Sequence, residues 1–379
     1  MKRQNYSIVF DKVPGTIIHH VPAQTKNFVG CPSIIKIEKE RYLVSHSYFG
    51  KGSSYSETFI YESNDGGETW VFIKNIKDQI WSKIFNINGV IYLLGTDHCD
   101  NNLGRLNGKI VIRKSTDEGR TWSEVEDETT GILTDEEGYH TAPTSVLVHN
   151  NRIWKAFEYA PNPDRKYWES FVISASTSDD LLRRDSWKFS DSIKSWENYQ
   201  WIEGNVVVNP KNQIVNILRT NLRTRLGGIG REGFIEEDEP ASLVYVNKDG
   251  KTLKHDEEKD RIKFPGGGAK FVVKKDPNSE YYFSIINPQD TNSYRNKLAL
   301  SASKDLIEWK IIKYLLIHED PHKHAFQYID FEFDDNDIIF VSRTAFDDNT
   351  GGADNAHNAN YCTFHRINNF IKYVNDNLT

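Results

Sequence analysis

Ser115-Thr116-Asp117-Glu118-Gly119-Arg120-Thr121-Trp122 carries the residue types of an earlier stretch, Ser63-Asn64-Asp65-Gly66-Gly67-Glu68-Thr69-Trp70, at the same spacing. The shared pattern Ser-x-Asp-x-Gly-x-Thr-Trp specifies a tight turn between two outer strands. The Ser and Asp oxygens accept local backbone N–H groups, Gly takes the positive-φ position, and Trp packs between neighbouring units. Two weaker copies follow. Asn247 to Leu253 keeps the Asp-Gly and the Thr, and Ser303 to Trp309 keeps Ser, Asp and Trp in a shortened turn. Together they set a repeat of roughly 50 to 65 residues, the period of a four-stranded repeating unit.

The chain of 379 residues is 38% hydrophobic and 12% aromatic, enough to bury one large core, and it reads as a single domain over residues 1–379. A net charge of -7 with scattered basic residues argues against a nucleic-acid partner. The three cysteines, Cys31, Cys99 and Cys362, have no paired spacing and are expected to be free thiols. No apolar run has membrane length and no apolar segment follows Met1. Taken at face value the chain reads as cytoplasmic, or as periplasmic or secreted had a leader been removed.

Short runs of alternating polarity succeed one another with turn signals between them, which predicts an all-β fold. Six sets of strands can be written along the chain, so the expectation is a six-bladed β-propeller, with seven blades the alternative. The segment Tyr6 to Val21 is expected to lend its strand to the last blade and remove the open sheet edges. Between Thr220 and Pro240 a loop rich in Arg, Gly and Glu is expected to form a rim element.

The repeated turn matches the Asp-box, and the chain resembles the sialidase-like superfamily of Asp-box propellers. In that superfamily the chemistry sits at one mouth of the central channel. The resemblance extends to particular residues. Glu203, the apolar Val206-Val207-Val208 and then Asn216-Ile217-Leu218-Arg219 are similar to the family's catalytic Glu followed by a carboxylate-gripping arginine. Arg295-Asn296-Lys297-Leu298 leading to Ser303-Lys304-Asp305 resembles the segment bearing another such arginine. Tyr328-Ile329-Asp330 resembles the Tyr-Ser-Asp of the nucleophile. A neutral phenol suits an anionic sugar because a carboxylate nucleophile would repel it, and arginines offer fixed paired donors to the sugar's acid.

Two positions depart from the family. Its first arginine is replaced by Gly30-Cys31-Pro32, and Ser47 to Ser56 lacks the carboxylate that serves as acid/base. His46, the nearest titratable residue, takes that role in this reading. The resemblance therefore implies an exo-acting glycoside hydrolase that removes a terminal acidic sugar by a retaining mechanism. Tyr328, Glu203 and His46 are its catalytic residues. Arg219, Arg295, Arg343, His140, His98 and Asp330 are its substrate-binding residues. Glu158, Lys270 and His357 are further rim residues without an assigned role.

Two alternatives stay open. One is a uronate-specific lyase using Tyr139, His140 and His98, with Arg219 neutralising the acid. The other is a noncatalytic glycan-binding propeller. His322, His324, His357 and His365 with Cys362 form no recognised zinc spacing, and no metal or cofactor is implied. The expected partner is an anionic carbohydrate, with no membrane insertion.

Overall fold

In the computed structural model the described residues are 12–99, 107–160, 168–195, 199–222, 240–288 and 294–378. They form a six-bladed β-propeller, each blade an antiparallel sheet whose first strand lines the central channel. The loop expected to form a rim element lies almost wholly outside the described residues. No helix among them is long and apolar enough to cross a membrane.

Blade one runs Phe28–Val29 with Ser33–Glu38, then Arg41–Phe49, Glu57–Ser63 and Val71–Lys77. Blade two has, among the described residues, the three strands Ile80–Ile87, Val90–Thr96 and Ile110–Ser115. Blade three opens with Tyr139–His140 and Leu147–His149 and continues through Arg152–Tyr159 and Glu169–Ser176 to Trp187–Phe189. Blade four begins at Tyr199–Val208 and Ile214–Leu222, and blade five comprises Val272–Lys275, Tyr282–Ile286, Lys297–Ser303 and Lys310–Ile317. Blade six takes Ala325–Asp334, Asp337–Ala345 and Tyr361–Ile367, and its fourth strand is Thr16–His20, paired antiparallel with Tyr361–Ile367. A short helix, Ile371–Leu378, follows.

The repeated turns explain how blades adhere. In both strong copies the Ser hydroxyl donates to the Asp carboxylate at 2.8 Å and accepts the N–H of the Gly four residues on. The Trp indole N–H donates to that Gly carbonyl. Each indole then packs on the preceding blade, Trp70 against Phe364 and Trp122 in the cluster of Leu43 and Ile35. Trp309 does the same against Phe264, with Leu306 at φ 70° in place of the Gly. The copy at Asn247 has no Trp of its own, and Trp154 of blade three fills the gap against Gly250.

The channel-lining strands differ by parity. In blades two, four and six the ladder shifts register between Ile80 and Lys83, Ile202 and Asn205, and Gln327 and Asp330. At each shift one residue adopts a positive φ: Trp81 at 53°, Glu203 at 58° and Tyr328 at 54°. Such β-bulges re-aim side chains at strand ends, at a steric cost for residues other than Gly. In blades one and three the inner strand is interrupted instead, at Gly30-Cys31-Pro32 and Thr141-Ala142-Pro143.

Below the bulges the axis is closed by polar ties. Lys83 reaches across to Asp330 at 2.5 Å, and Asp330 also accepts the Ser33 hydroxyl and the Ile34 N–H. Lys270 donates to Pro143 O of blade three at 2.9 Å and to Ile329 O of blade six. The Lys270 ammonium therefore satisfies a carbonyl that the Tyr328 bulge removes from the ladder. Lys155 is enclosed by Thr141 Oγ1, Ala142 O, Thr144 Oγ1 and Ala156 O, all neutral, and burial lowers its pKa to about 7.

Candidate active site

Above those ties the bulges of blades four and six present Glu203 and Tyr328 to the same mouth. Glu203 is buried and its Oε2 accepts Arg219 Nη1 at 2.7 Å. Arg219 also donates through Nε to Gly268 O at 3.1 Å. That second bond depends on the Gly266-Gly267-Gly268 run, since a Cβ on Gly267 would lie 2.1 Å from Pro240 O. Burial raises the Glu203 carboxyl and opposes the Arg219 charge, but Arg219 with His140 and Lys270 more than offsets this for Glu203, and Glu203 with Tyr328 does so for Arg219. Glu203 is therefore held below the usual carboxylate range and Arg219 above its own.

Two further arginines surround Tyr328. The Arg295 guanidinium lies 5.3 Å from its ring centre and donates to Gln327 Oε1 at 2.6 Å. The Arg343 guanidinium is sandwiched between Tyr328 and Phe49, at 4.5 and 4.4 Å. It donates to His357 O, and its Nε is buried with no partner. Burial is the main cause that lowers Arg295 and takes Arg343 to about 10. The Tyr328 oxygen is close enough to Arg219 and Arg295 to favour the charge on both.

Apolar groups complete the wall. Cys31, Tyr55, Trp81 and Cys99 form a cluster against which Phe49 and Tyr328 pack. A side chain at Gly30 has no room, because its Cβ would meet Ser47 Oγ at 2.4 Å and the Trp81 ring at 2.9 Å. Arg343, arriving from blade six, stands close to Cys31. It brings a third guanidinium to the mouth although blade one contributes none.

On blade three, His140 Nδ1 lies 3.1 Å from Glu158 Oε2, and its ring meets Trp168 edge-on at 5.2 Å. Glu158 is fully buried, and its second oxygen accepts the N–H of Gly204, next to Glu203.

Placement corrects two sequence-derived assignments. His46 is buried in the packing between blades six and one, stacked on His19 at 5.2 Å and Tyr61 at 5.4 Å, with desolvation first and His19 second taking its pKa down to about 3. A ring kept neutral among aromatics is no acid/base for a reaction at the mouth. Asp330 is the buried axial partner of Lys83, with Ser33, Ile34 and Phe331 as its other donors. Burial raises it, and Lys83, Lys274 and Lys270 more than reverse that. Fully buried, it spends its oxygens on these protein donors. His98 is paired with Asp97 at 2.8 Å on the loop after the second strand of blade two and flanks the wall through Cys99. Tyr328, Glu203, Arg219, Arg295 and Arg343 are brought together, with His140 beside Glu203.

The residues missed by sequence reasoning are Phe49, Trp81 and Gln327, together with a role for Glu158. Trp81 had a usable signal: Ile80-Trp81-Ser82-Lys83 is in register with Ile202-Glu203-Gly204-Asn205. Among the described residues, no group of three or more His, Cys, Asp or Glu side chains is arranged to hold a metal ion.

No family model and no curated protein matches the sequence. Solved structures do match. Trypanosoma rangeli sialidase superimposes with a TM-score of 0.61 at 13% identity, over 99% of this chain and 59% of that one. An α-L-arabinofuranosidase from Fusarium graminearum gives 0.59 at 12% identity, over 93% and 96%. A Dyadobacter fermentans protein of unknown function gives 0.60 at 16% identity, over 94% and 98%. At these identities the likeness is one of fold.

Proposed function

We propose that the protein is an exo-acting glycoside hydrolase that removes a terminal acidic sugar from a glycan. The observation that carries this reading is the convergence of Arg219, Arg295 and Arg343 on Tyr328, with Glu203 the one carboxylate bonded to them among the described residues. Buried charge is costly unless compensated, so a mouth with surplus guanidinium is organised for an anion supplied by the ligand. The repeated turns, read as Asp-boxes, and the glycosidases among the structural neighbours agree with it.

In this mechanism Arg295 and Arg343 hold the sugar's acid. Tyr328 Oη attacks the anomeric carbon and passes its proton to Glu203, which Arg219 keeps ionised and oriented. A carboxylate or a sulfate would satisfy the same guanidiniums.

The test is a panel of methylumbelliferyl sialoside, glucuronide and neutral arabinofuranoside, read by fluorescence, beside acidic polysaccharides read by ultraviolet absorbance. Release from an acidic glycoside alone is the expected result. Cleavage of the arabinofuranoside alone would remove the anionic substrate and leave a glycosidase. Growth of absorbance from an unsaturated product would replace hydrolysis by elimination.

A further inference from the structure

Cleavage with Tyr328 as nucleophile needs a proton donor for the departing oxygen, a requirement that rests on the glycosidase reading above. We propose that His140 is that acid, and the base of the second step, with Glu158 as the residue that positions it.

The geometry gives His140 the attributes of the role. It is half-buried at the mouth, on the inner strand of blade three, where Tyr139–His140 pairs with Tyr159 and Glu158. Glu158 occupies Nδ1, so Nε2 is the nitrogen left to face a substrate. The same carboxylate, fully buried, grips the Gly204 N–H with its other oxygen, so one side chain sets His140 relative to the bulge that carries Glu203. The proximity is close enough for the charge of His140 to act on Glu203. Trp168 holds the ring from one edge. In ring order, His140 on blade three and the anion-holding Arg295 and Arg343 on blades five and six lie on opposite sides of Glu203. The sugar's acid and its leaving group need that separation.

The steps balance. Tyr328 Oη bonds to the anomeric carbon and its proton goes to Glu203. The bond from that carbon to the aglycone oxygen breaks, and this oxygen takes the proton from His140 Nε2. His140, now neutral at Nε2 and still donating from Nδ1 to Glu158, takes a proton from water as the water oxygen attacks the anomeric carbon. The Tyr328 phenolate leaves and recovers its proton from Glu203.

The experiment compares wild type, His140→Ala, His140→Gln and Glu158→Gln on dinitrophenyl, methylumbelliferyl and methyl glycosides, prepared as the glucuronide or sialoside according to which the wild type cleaves. Loss of a general acid should cost about 10²–10⁴-fold on the methyl glycoside, whose leaving group needs a proton, and far less on the dinitrophenyl one. Azide should restore turnover of the dinitrophenyl substrate and yield a glycosyl azide. Glu158→Gln should shift rates in the same direction by less. A loss equal across all leaving groups, without azide rescue, in a variant that melts like wild type would overturn the assignment and leave the glycosidase standing. His140→Gln serves if His140→Ala does not fold. Wild-type inactivity on every glycoside would instead remove the glycosidase reading, and the inference with it.

Discussion

Two regions of the molecule bury ionisable groups, and they treat them in opposite ways. At the seam between blades six and one His46 stacks between His19 and Tyr61, and on the other face of blade six, toward blade five, His365 stacks on Phe340 at 4.6 Å. Desolvation lowers His19 to about 4, helped by His20, and alone lowers His365 to about 3. Burial disfavours the charged form of each of these imidazoles. At the mouth, Arg343 is as deeply buried as His46 yet cannot shed its charge, and a backbone carbonyl and two aromatic faces are its partners. The seam uses titratable residues as packing material. The mouth keeps charge against the cost of burial, which is what a ligand site does and a packing layer does not.

The contrast is broken most severely at Tyr328. Tyr328→Phe should lower kcat by about 10⁴-fold or more, the range seen when a member of a nucleophilic pair is removed, while the melting temperature stays near wild type. A variant that keeps its turnover would return Tyr328 to the packing residues.

Next in size is the axial tie. Asp330→Ala takes the carboxylate at 2.5 Å from the buried Lys83 ammonium, leaves it only the Glu332 carboxylate at 3.6 Å among the described residues and should cost about 3 kcal/mol in urea unfolding. Little loss of stability would mean that the channel is wetter than its hydrogen bonds imply.

The seam can be tested by acid. Unfolded histidines bind protons below about pH 6.5, whereas His46 in the fold does so only near 3. The unfolded state binds more protons in that window, so stability is fully present above 6.5 and falls as pH drops, by about 3 kcal/mol from His46 at pH 4. His46→Phe should flatten that slope in denaturant titrations. An unchanged slope would place the acid sensitivity elsewhere, for example at His365.

The smallest effect has an unusual sign. Arg343→Met should raise stability by about 1–2 kcal/mol, because a buried cation without a carboxylate is replaced by an apolar chain of similar length. It should also raise KM for an acidic substrate about tenfold or more. A variant less stable than wild type would show that the stacking with Phe49 and Tyr328 outweighs the burden of the charge.

How much of this was legible in the sequence follows from what alternation encodes. Strands such as Val90–Thr96 and Arg152–Tyr159 were legible to the residue, because short runs rich in apolar and aromatic residues are bounded by turn residues. Glu203, Arg219, Arg295 and Tyr328 could be placed together because the segments that carry them resemble those of the sialidase-like superfamily, although they sit on different strands of blades four, five and six. His46 could not, since alternation assigns a side chain to a face of its blade without saying whether that face meets a neighbouring blade or the channel. Asp330 failed for a related reason. The Tyr328 bulge turns its strand, so the residue two positions on faces the axis below the mouth. No residue type in Gln327-Tyr328-Ile329-Asp330 announces a positive φ.

Blade six is finished by strands from opposite ends of the chain, Thr16–His20 against Tyr361–Ile367. During synthesis the amino-terminal strand emerges first and waits unpaired until the last blade has been made, exposing a strand edge throughout. Closure is the longest-range strand pairing among the described residues and one of the slowest to form by chain search. A ribosome that stalled before residue 361 would release a ring without its clasp, so the order of translation, as much as the final energy, bears on whether this propeller assembles.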